Sequence, residues 1–328
     1  MFKQYVRLIV RKLSRNRVYT MINIIGLSIA FSAAWLIYNH TANEWSMDGY
    51  LKNSDHIYRV ITRYDDEDFW NSRTNTPFGP TAKQTFPEIV QVARYFQKDY
   101  LIKIKEDQDF IVEPKLAFVD LPFFDLFEIP AVQGKIDTTV FSWIVFTETS
   151  AKRYFNKENP IGKMVSIKDL VNNRKKEIKC QVVAVVKDFP ANSTIQTNIM
   201  VDCRQGAPYF DEYRGNHSLH TYFHILPTAD LRTIENKLPA IASNMPDDVN
   251  HYSHKLQPLK DIYFHSDHLR EDELLRGSKS LTYLLWSITI LILLLAAGNF
   301  LLIRIAQQDR DSSRFAIHKC YGASNKHL

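Results

Sequence analysis

Residues 280–303 read SLTYLLWSITILILLLAAGNFLLI, twenty-four positions without a charge. As a helix rising about 1.5 Å per residue the run is roughly 36 Å long, enough to cross a hydrocarbon layer of about 30 Å with some tilt. Arg304 ends it, and the basic tail IAQQDRDSSRFAIHKCYGASNKHL follows. A second apolar run, Val18 to Tyr38, lies near the other end of the chain. Whatever else the sequence encodes must be arranged around these two spans.

Outward from the spans, charge sets the orientation. The 328 residues carry a net charge of +5 and a mean hydropathy of −0.25, so most of the chain is water-soluble in character. Residues 1–17 hold six bases and no acid, residues 304–328 hold five bases and two acids, and the middle is net −4. Short flanks rich in Lys and Arg stay on the cytoplasmic side. Both termini are therefore expected inside and residues 39–279 outside. The basic excess sits beside the membrane, so nucleic acid is not an expected partner. The first run is too long for the apolar core of a cleaved signal, and no small-residue cleavage site follows it closely.

The flanks and spans carry further pattern. Phe2, Val6, Ile9 and Leu13 share one helical face and Lys3, Arg7 and Arg11 another, so residues 1–17 are expected to form a basic amphipathic helix on the cytoplasmic leaflet. Gly26, Ala30 and Ala34 recur every fourth residue, and Asn23 adds a polar group. Gly298 and Asn299 repeat the theme in the second span. Small residues on one stripe let helix backbones approach in lipid, where packing drives association. These six are the expected membrane-helix packing positions, facing protein in a bundle larger than two helices.

Between the spans, period-two alternation predicts a strand over Asp55–Tyr64; a short helix over about Pro80–Phe86, with Pro allowed in its first turn, and a strand over Val90–Phe96 follow. The pattern returns as a strand over His220–Leu226, a helix over Asp230–Ser243 that Pro239 should kink or shorten, and a strand over Lys255–Leu259. The region between reads as strands near 101–105, 115–119, 143–147, 164–167, 180–187 and 197–202, with one helix, Glu148–Phe155, capped by Thr147. Cys180 and Cys203 could pair or remain free thiols; Cys320 falls on the cytoplasmic side.

Several of these stretches resemble one family. IYRV at 57–60, FVDLPFFDLFEIPAVQGK at 118–135, FTETSAKRYFNKENPIGK at 146–163, VVAVVKDFPANSTIQTNIMV at 182–201 and LQPLKDIYFHS at 256–266 are similar to the periplasmic core domain of MacB/FtsX-type ABC permeases. RNRVYTMINIIGLSIA at 15–30 resembles that family's first membrane helix. GNFLLIRIAQQDRDSSRFAIHKCYGAS at 298–324 resembles its second helix and the segment that touches the ATPase. The resemblance implies four membrane helices per subunit, work in pairs, a separate cytoplasmic ATPase, and force rather than cargo passed across the membrane. The family's usual Lys-Glu pair and Arg are replaced here by Ser313, Arg314 and His318. Ser324 looks like the cap of a further helix, so the sequence reads as an amino-terminal half or fragment of such a permease.

The expected fold class is α+β: two transmembrane helices, 18–38 and 280–303, bracket a periplasmic α+β domain of two subdomains, with βαβ units flanking a mostly β insert at about 100–215. Residues 304–328 form the expected ATPase-coupling segment, with Phe315, Ile317 and Tyr321 as apolar anchors beside Arg310, Arg314 and Lys319, and Gly322 as the helix stop. Expected partners are a cytoplasmic ABC ATPase, a second permease copy or half, and an outer-membrane or periplasmic protein, with the cell inner membrane as the site.

No catalytic residue, cofactor or metal is expected. Gly134-Lys135 and Gly162-Lys163 lack the earlier Gly and following Ser or Thr of a phosphate-binding loop. His220 and His224 are four apart in a strand, roughly 13 Å, too far to share a metal. Ser150 lacks a nucleophile-elbow setting, and Asp188, Pro190 and Ser193 read as a turn. The alternative function is a two-span sensor with an outer ligand-binding domain.

Overall fold

The computed structural model describes residues 17–64, 68–136, 140, 142–170, 177–205, 219–242, 252–270 and 272–320. The chain divides into two compact units, Ser46–Gly277 and the two terminal segments Met1–Trp45 with Ser278–Leu328.

In the terminal unit, α1 spans Arg17–Trp45 and α7 spans Lys279–Cys320. Both contain a stretch long and apolar enough to cross a membrane, Thr20–Trp45 and Lys279–Ile303. Each helix runs past its apolar stretch as read from sequence, because backbone hydrogen bonding inside a helix is indifferent to where lipid ends. The amphipathic helix expected over residues 1–17 falls almost wholly outside the described residues.

The unit Ser46–Gly277 begins with a split pair of βαβ repeats. The first repeat is β1 (Ile57–Tyr64), α2 (Phe78–Thr85) and β3 (Ile89–Lys103). The second is β10 (His220–Ile225), α5 (Leu231–Ala242) and β11 (Tyr252–Pro258). Their strands form an antiparallel sheet in the order β11-β1-β10-β3. One sheet face is covered by α2 and α5, where Phe78, Ala82, Phe86, Ile234, Leu238 and Ile241 meet Val60, Phe223 and Leu256 in one core. Helix α5 continues three residues beyond Pro239 instead of stopping there. Its buried face, Ile234, Leu238 and Ile241, holds it to the sheet despite the missing donor.

The insert is a closed barrel. It uses the second half of β3, then β4 (Ile111–Val119), β6 (Trp143–Thr147), β7 (Met164–Asp169), β8 (Ile178–Val186) and β9 (Ile199–Asp202). Following the pairings around gives β3-β4-β9-β6-β8-β7 and back to β3, so the ring has no free edge. Alternate residues point inward and fill it: Tyr100 and Ile102, Leu116 and Phe118, Ile144 and Phe146, Val165 and Ile167, Cys180 and Val182, Ile199 and Val201. Cys180 and Cys203 are buried free thiols of this core, with no disulfide between them. The strands read separately from sequence at 90–96 and 101–105 are one strand of fifteen residues, Ile89–Lys103. β3 thereby belongs to both the split sheet and the barrel.

Short elements that sequence pattern did not reveal complete the unit. These are β2 (Trp70–Asn71), α3 (Pro122–Leu126), β5 (Ala131–Gly134), α6 (Leu259–Ile262) and β12 (Leu269–Arg270). The predicted helix at Glu148–Phe155, α4, is present with Thr147 Oγ1 accepting from the Ser150 N–H at 3.3 Å. β5 carries Gly134 at φ 72°, where a Cβ would strike the Val183 carbonyl oxygen. Between sheet and barrel lies a shared core in which Tyr95, Phe123, Phe127, Trp143 and Tyr222 are fully or almost fully buried.

Candidate functional site

A domain tethered to two membrane-length helices receives any displacement through the residues where the chain enters and leaves it. The inbound segment is Ser46–Leu51. Asp48 adopts φ 53°, in the left-handed region, and is buried to 1% exposure. Its N–H donates to the Asn192 carbonyl at 2.8 Å. Its carboxylate accepts from the Thr194 N–H at 3.0 Å and the Thr194 hydroxyl at 2.5 Å. Burial raises the Asp48 carboxyl above the ordinary value; the Thr194 bonds act against this without cancelling it. Asn192 Nδ2 donates back to the Ser46 carbonyl at 3.0 Å, and the Tyr50 hydroxyl to Ser193 Oγ at 3.2 Å. Burial pushes the Tyr50 phenol up to about 12.

The outbound segment, residues 272–277, reaches the same loop. The Leu275 N–H donates to the Thr194 carbonyl at 3.2 Å. Leu51, Ile195 and Leu274 share one apolar cluster. Thr194, in the turn between β8 and β9 of the barrel, thus bonds the inbound segment through its N–H and hydroxyl and the outbound one through its carbonyl. The Gly277 N–H donates to the Tyr263 carbonyl at 2.8 Å, and a Cβ at Gly277 would fall into the Tyr263 ring. Two connections more than 220 residues apart in sequence are therefore fastened to one short loop.

Beneath the outbound segment lies a buried polar layer on the sheet. Arg59 on β1 is fully buried; its Nε and Nη2 donate to Gln257 Oε1 at 3.2 and 2.8 Å, and Nη2 also to Ser266 Oγ at 2.9 Å. Asp272 Oδ2 lies 2.9 Å from Nη2. Burial alone would raise the Asp272 carboxyl, but the Arg59 charge overrides it and holds the group below the ordinary carboxylate range. His220 Nδ1 is 3.0 Å from the Ser72 carbonyl, so that nitrogen carries the proton. Nε2 then faces Glu273 Oε2 at 3.3 Å as acceptor to acceptor, with no hydrogen bond while the ring is neutral. Burial, followed by the nearby Arg59 charge, pushes the imidazole down to about 3.

The expected membrane-packing residues are partly brought together within the terminal unit. Helices α1 and α7 pair antiparallel: a Cβ on Gly26 would lie 3.8 Å from Asn299 Nδ2. Further along, the Tyr38 and Trp286 rings meet edge-on at 6.4 Å, and Thr282 Oγ1 donates to Glu44 Oε2 at 2.8 Å. Ala30 is buried and Ala34 half-buried, whereas a Cβ on Gly298 would meet open space. Asn23 Oδ1 is buried without a hydrogen-bond partner. Ile22, Ile25, Ile29, Leu294, Leu295 and Leu302 remain exposed around the pair.

Of the expected ATPase-contact residues, Arg310, Arg314, Phe315, Ile317 and Lys319 lie on the last turns of α7. Their side chains, together with Tyr321 and Gly322 as whole residues, fall outside what the structure describes. Ser150 sits in the first turn of α4, its hydroxyl donating to the Thr147 and Asn198 carbonyls at 3.0 and 2.7 Å. Asp188 accepts from the Thr149 N–H and hydroxyl at 3.0 and 2.7 Å. Both are structural bonds. His254 stacks on Phe78 with centroids 4.6 Å apart, and His265 pairs with Asp261 at 3.2 Å. Among the described residues no three His, Cys, Asp or Glu side chains are grouped to hold a metal.

Asp48, Thr194, Arg59 and Asp272 were not singled out from sequence. The available signal was Arg59 between Ile57 and Ile61 on one face of β1, since a charge on an apolar face demands a buried partner. Nothing local pointed to which acid that partner would be.

Among solved structures the chain is similar to a domain of a protein described as a permease from Porphyromonas gingivalis, at 17% identity and TM-score 0.53, covering 67% of this chain and 95% of that one. It is also similar to the extracellular domain of the noncanonic ABC-type transporter YknZ from Gram-positive bacteria (12% identity, TM-score 0.44, 60% of this chain and 98% of that one). A third match is the periplasmic region of MacB from Actinobacillus actinomycetemcomitans (14% identity, TM-score 0.43, 61% and 88%). No curated protein matches the sequence. The family model described as the MacB-like periplasmic core domain matches residues 20–241, which is more than half of the chain. The chain therefore belongs to the MacB-like periplasmic core domain family, the periplasmic part of ABC-type transporter permeases, here flanked by two helices of membrane-spanning length.

Proposed function

We propose that this chain is the membrane subunit of an ABC transporter complex that passes ATP-driven motion from a separate cytoplasmic ATPase to its periplasmic domain. The observation that carries the reading is the convergence on Thr194: both connections to the membrane-length helices are fastened to one loop of the barrel. A displacement of either helix end would load the same point. The basic flanks support a topology with both termini in the cytoplasm and residues 39–279 in the periplasm, in the inner membrane of the cell. The last turns of α7, with Arg310, Arg314, Phe315, Ile317 and Lys319, dock the ATPase together with Tyr321 and Gly322, which follow in the sequence. Asn23, Gly26, Ala30, Ala34, Gly298 and Asn299 pack the membrane helices against each other and against a second permease copy or half. The open side at Gly298 and the exposed Ile22, Ile25, Leu294 and Leu295 support such a neighbour. The cargo is a peptide, lipid-linked or antimicrobial compound handled with an outer-membrane or periplasmic partner.

Phe315→Asp is expected to abolish co-purification with the ATPase while leaving membrane insertion intact. Unchanged co-purification would remove the docking assignment. Externally added protease acting on spheroplasts should cut within 46–277 and spare both flanks; protection of that region would overturn the topology.

A further inference from the structure

The outbound segment is held to the domain by a different chemistry from the rest of the fold. Of residues 272–277, three are charged, Leu275 is 41% exposed, and Leu274 is the one large apolar side chain buried in the core. Beyond Leu274 and the two backbone bonds already described, its side-chain fastenings are charged. Asp272 meets Arg59 with both side chains at 0% exposure. Glu273 pairs with Arg73 on the turn after β2 and approaches His220 on β10. Arg276 donates to the Asp272 and Ser266 carbonyls.

The Arg59–Asp272 pair is asymmetric. The guanidinium is fixed independently, by Gln257 on β11 and by Ser266. Asp272 Oδ2 lies 2.9 Å from Nη2, the nitrogen already shared between Gln257 and Ser266, and Nη1 has no hydrogen-bond partner. If Asp272 left, Arg59 would keep its bonds to Gln257 and Ser266, and water entering the vacated space would have to hydrate its charge. Buried ion pairs contribute little net stability against an apolar replacement, and their best-attested use is to hold one discrete arrangement. Apolar packing yields gradually as surfaces slide apart, whereas an ion pair held in place by its neighbours is either seated or hydrated.

We propose that residues 272–277 form an ionic strap that detaches from the periplasmic domain as a unit, with Asp272 as the bolt and Arg59 as its fixed keeper. Detachment breaks the Leu275–Thr194 and Gly277–Tyr263 bonds and leaves the inbound attachment through Asp48 in place. The outbound tether then lengthens by the freed residues 272–277, running from β12 to α7, while the inbound one stays short. The strap deepens the force-transmission reading, which supplies the pull on α7, but its existence can be measured without nucleotide.

Hydrogen–deuterium exchange of the full chain in lipid nanodiscs tests it. In Asp272→Asn the amides of Leu274, Leu275 and Gly277 should exchange about tenfold faster, with β1, β10 and β11 amides unchanged. The pair Arg59→Met with Asp272→Leu should restore the protection, because an apolar contact replaces the ionic one. Should Asp272→Asn fail to accumulate, Glu273→Gln, at a half-exposed position, should give a smaller acceleration confined to the same three amides. Loss of β1 and β10 protection in step with the strap, or no change at 274–277, would overturn the proposal. A chain that passes this test yet binds no ATPase would refute the transmission reading and leave the strap standing.

Discussion

Asp48 and His220 are two buried titratable groups whose burial pushes them in opposite directions on the pH scale. The Asp48 carboxyl is raised, so it contributes stability that is fully present below its unfolded pKa and is lost as pH rises through the folded one. Near neutral pH its value lies in accepting the two Thr194 donors and in tolerating a left-handed backbone. Asp48→Asn keeps both properties in large part and should change unfolding free energy by less than about 1 kcal/mol, whereas Asp48→Ala should cost about 1–3 kcal/mol by orphaning Thr194. Urea titration of the two variants distinguishes them. His220, lowered to about 3, contributes stability that is present above its unfolded value of about 6.5 and is lost as pH falls toward the folded one. Between pH 7 and pH 5 the wild-type domain should therefore lose about 2 kcal/mol that His220→Asn, which keeps a donor toward Ser72, does not lose. Equal slopes in the two proteins would show that His220 charges without penalty.

At the scale of elements, the α1–α7 pair and β3 are the informative pieces. Gly26 against Asn299, Tyr38 against Trp286 and Glu44 against Thr282 define one antiparallel register along the whole pair. Cysteines placed at 26 and 299 should form a disulfide on mild oxidation in membranes, seen as two fragments held together after proteolysis between the helices. Cysteines at 26 and 298 should not, because position 298 points into open space. Strand β3 pairs with β10 through its first half and with β4 and β7 through its second. A proline at Gln97 should therefore damage both sheet and barrel, since it removes a ladder donor from a strand interior.

For the molecule as a whole, closure of the barrel matters most to how it could carry load. A closed ring with a filled interior resists shear better than an open sheet, because displacing one strand disturbs its neighbours on both sides and the side chains packed within. Phe146 sits in that interior, packed on Phe155 with centroids 5.2 Å apart. Phe146→Ala should cost about 3–5 kcal/mol in chemical denaturation, with a single transition because the barrel and the split sheet share the core around Tyr95, Trp143 and Tyr222. Two separated transitions would mean that the shared core does not couple them.

The sequence by itself determined the two spans, the charge asymmetry of their flanks, the split βαβ repeats and the cap of α4. Each of these is written locally, in periodicity, in composition or in one side chain bonding the next turn. Whether the insert is an open sheet or a ring depended on β7 meeting β3, a pairing between residues more than sixty positions apart that no local pattern specifies. The convergence on Thr194 and the partner of Arg59 are likewise tertiary facts. Asp48, Thr194 and Leu275 look like ordinary loop residues until the fold brings three distant turns together. A buried arginine announces that an acid must lie near it, but among 36 acids only the packing selects Asp272. Short-range order follows from side-chain size and hydrogen-bonding reach; which distant groups neutralise one another follows from how the chain closes on itself.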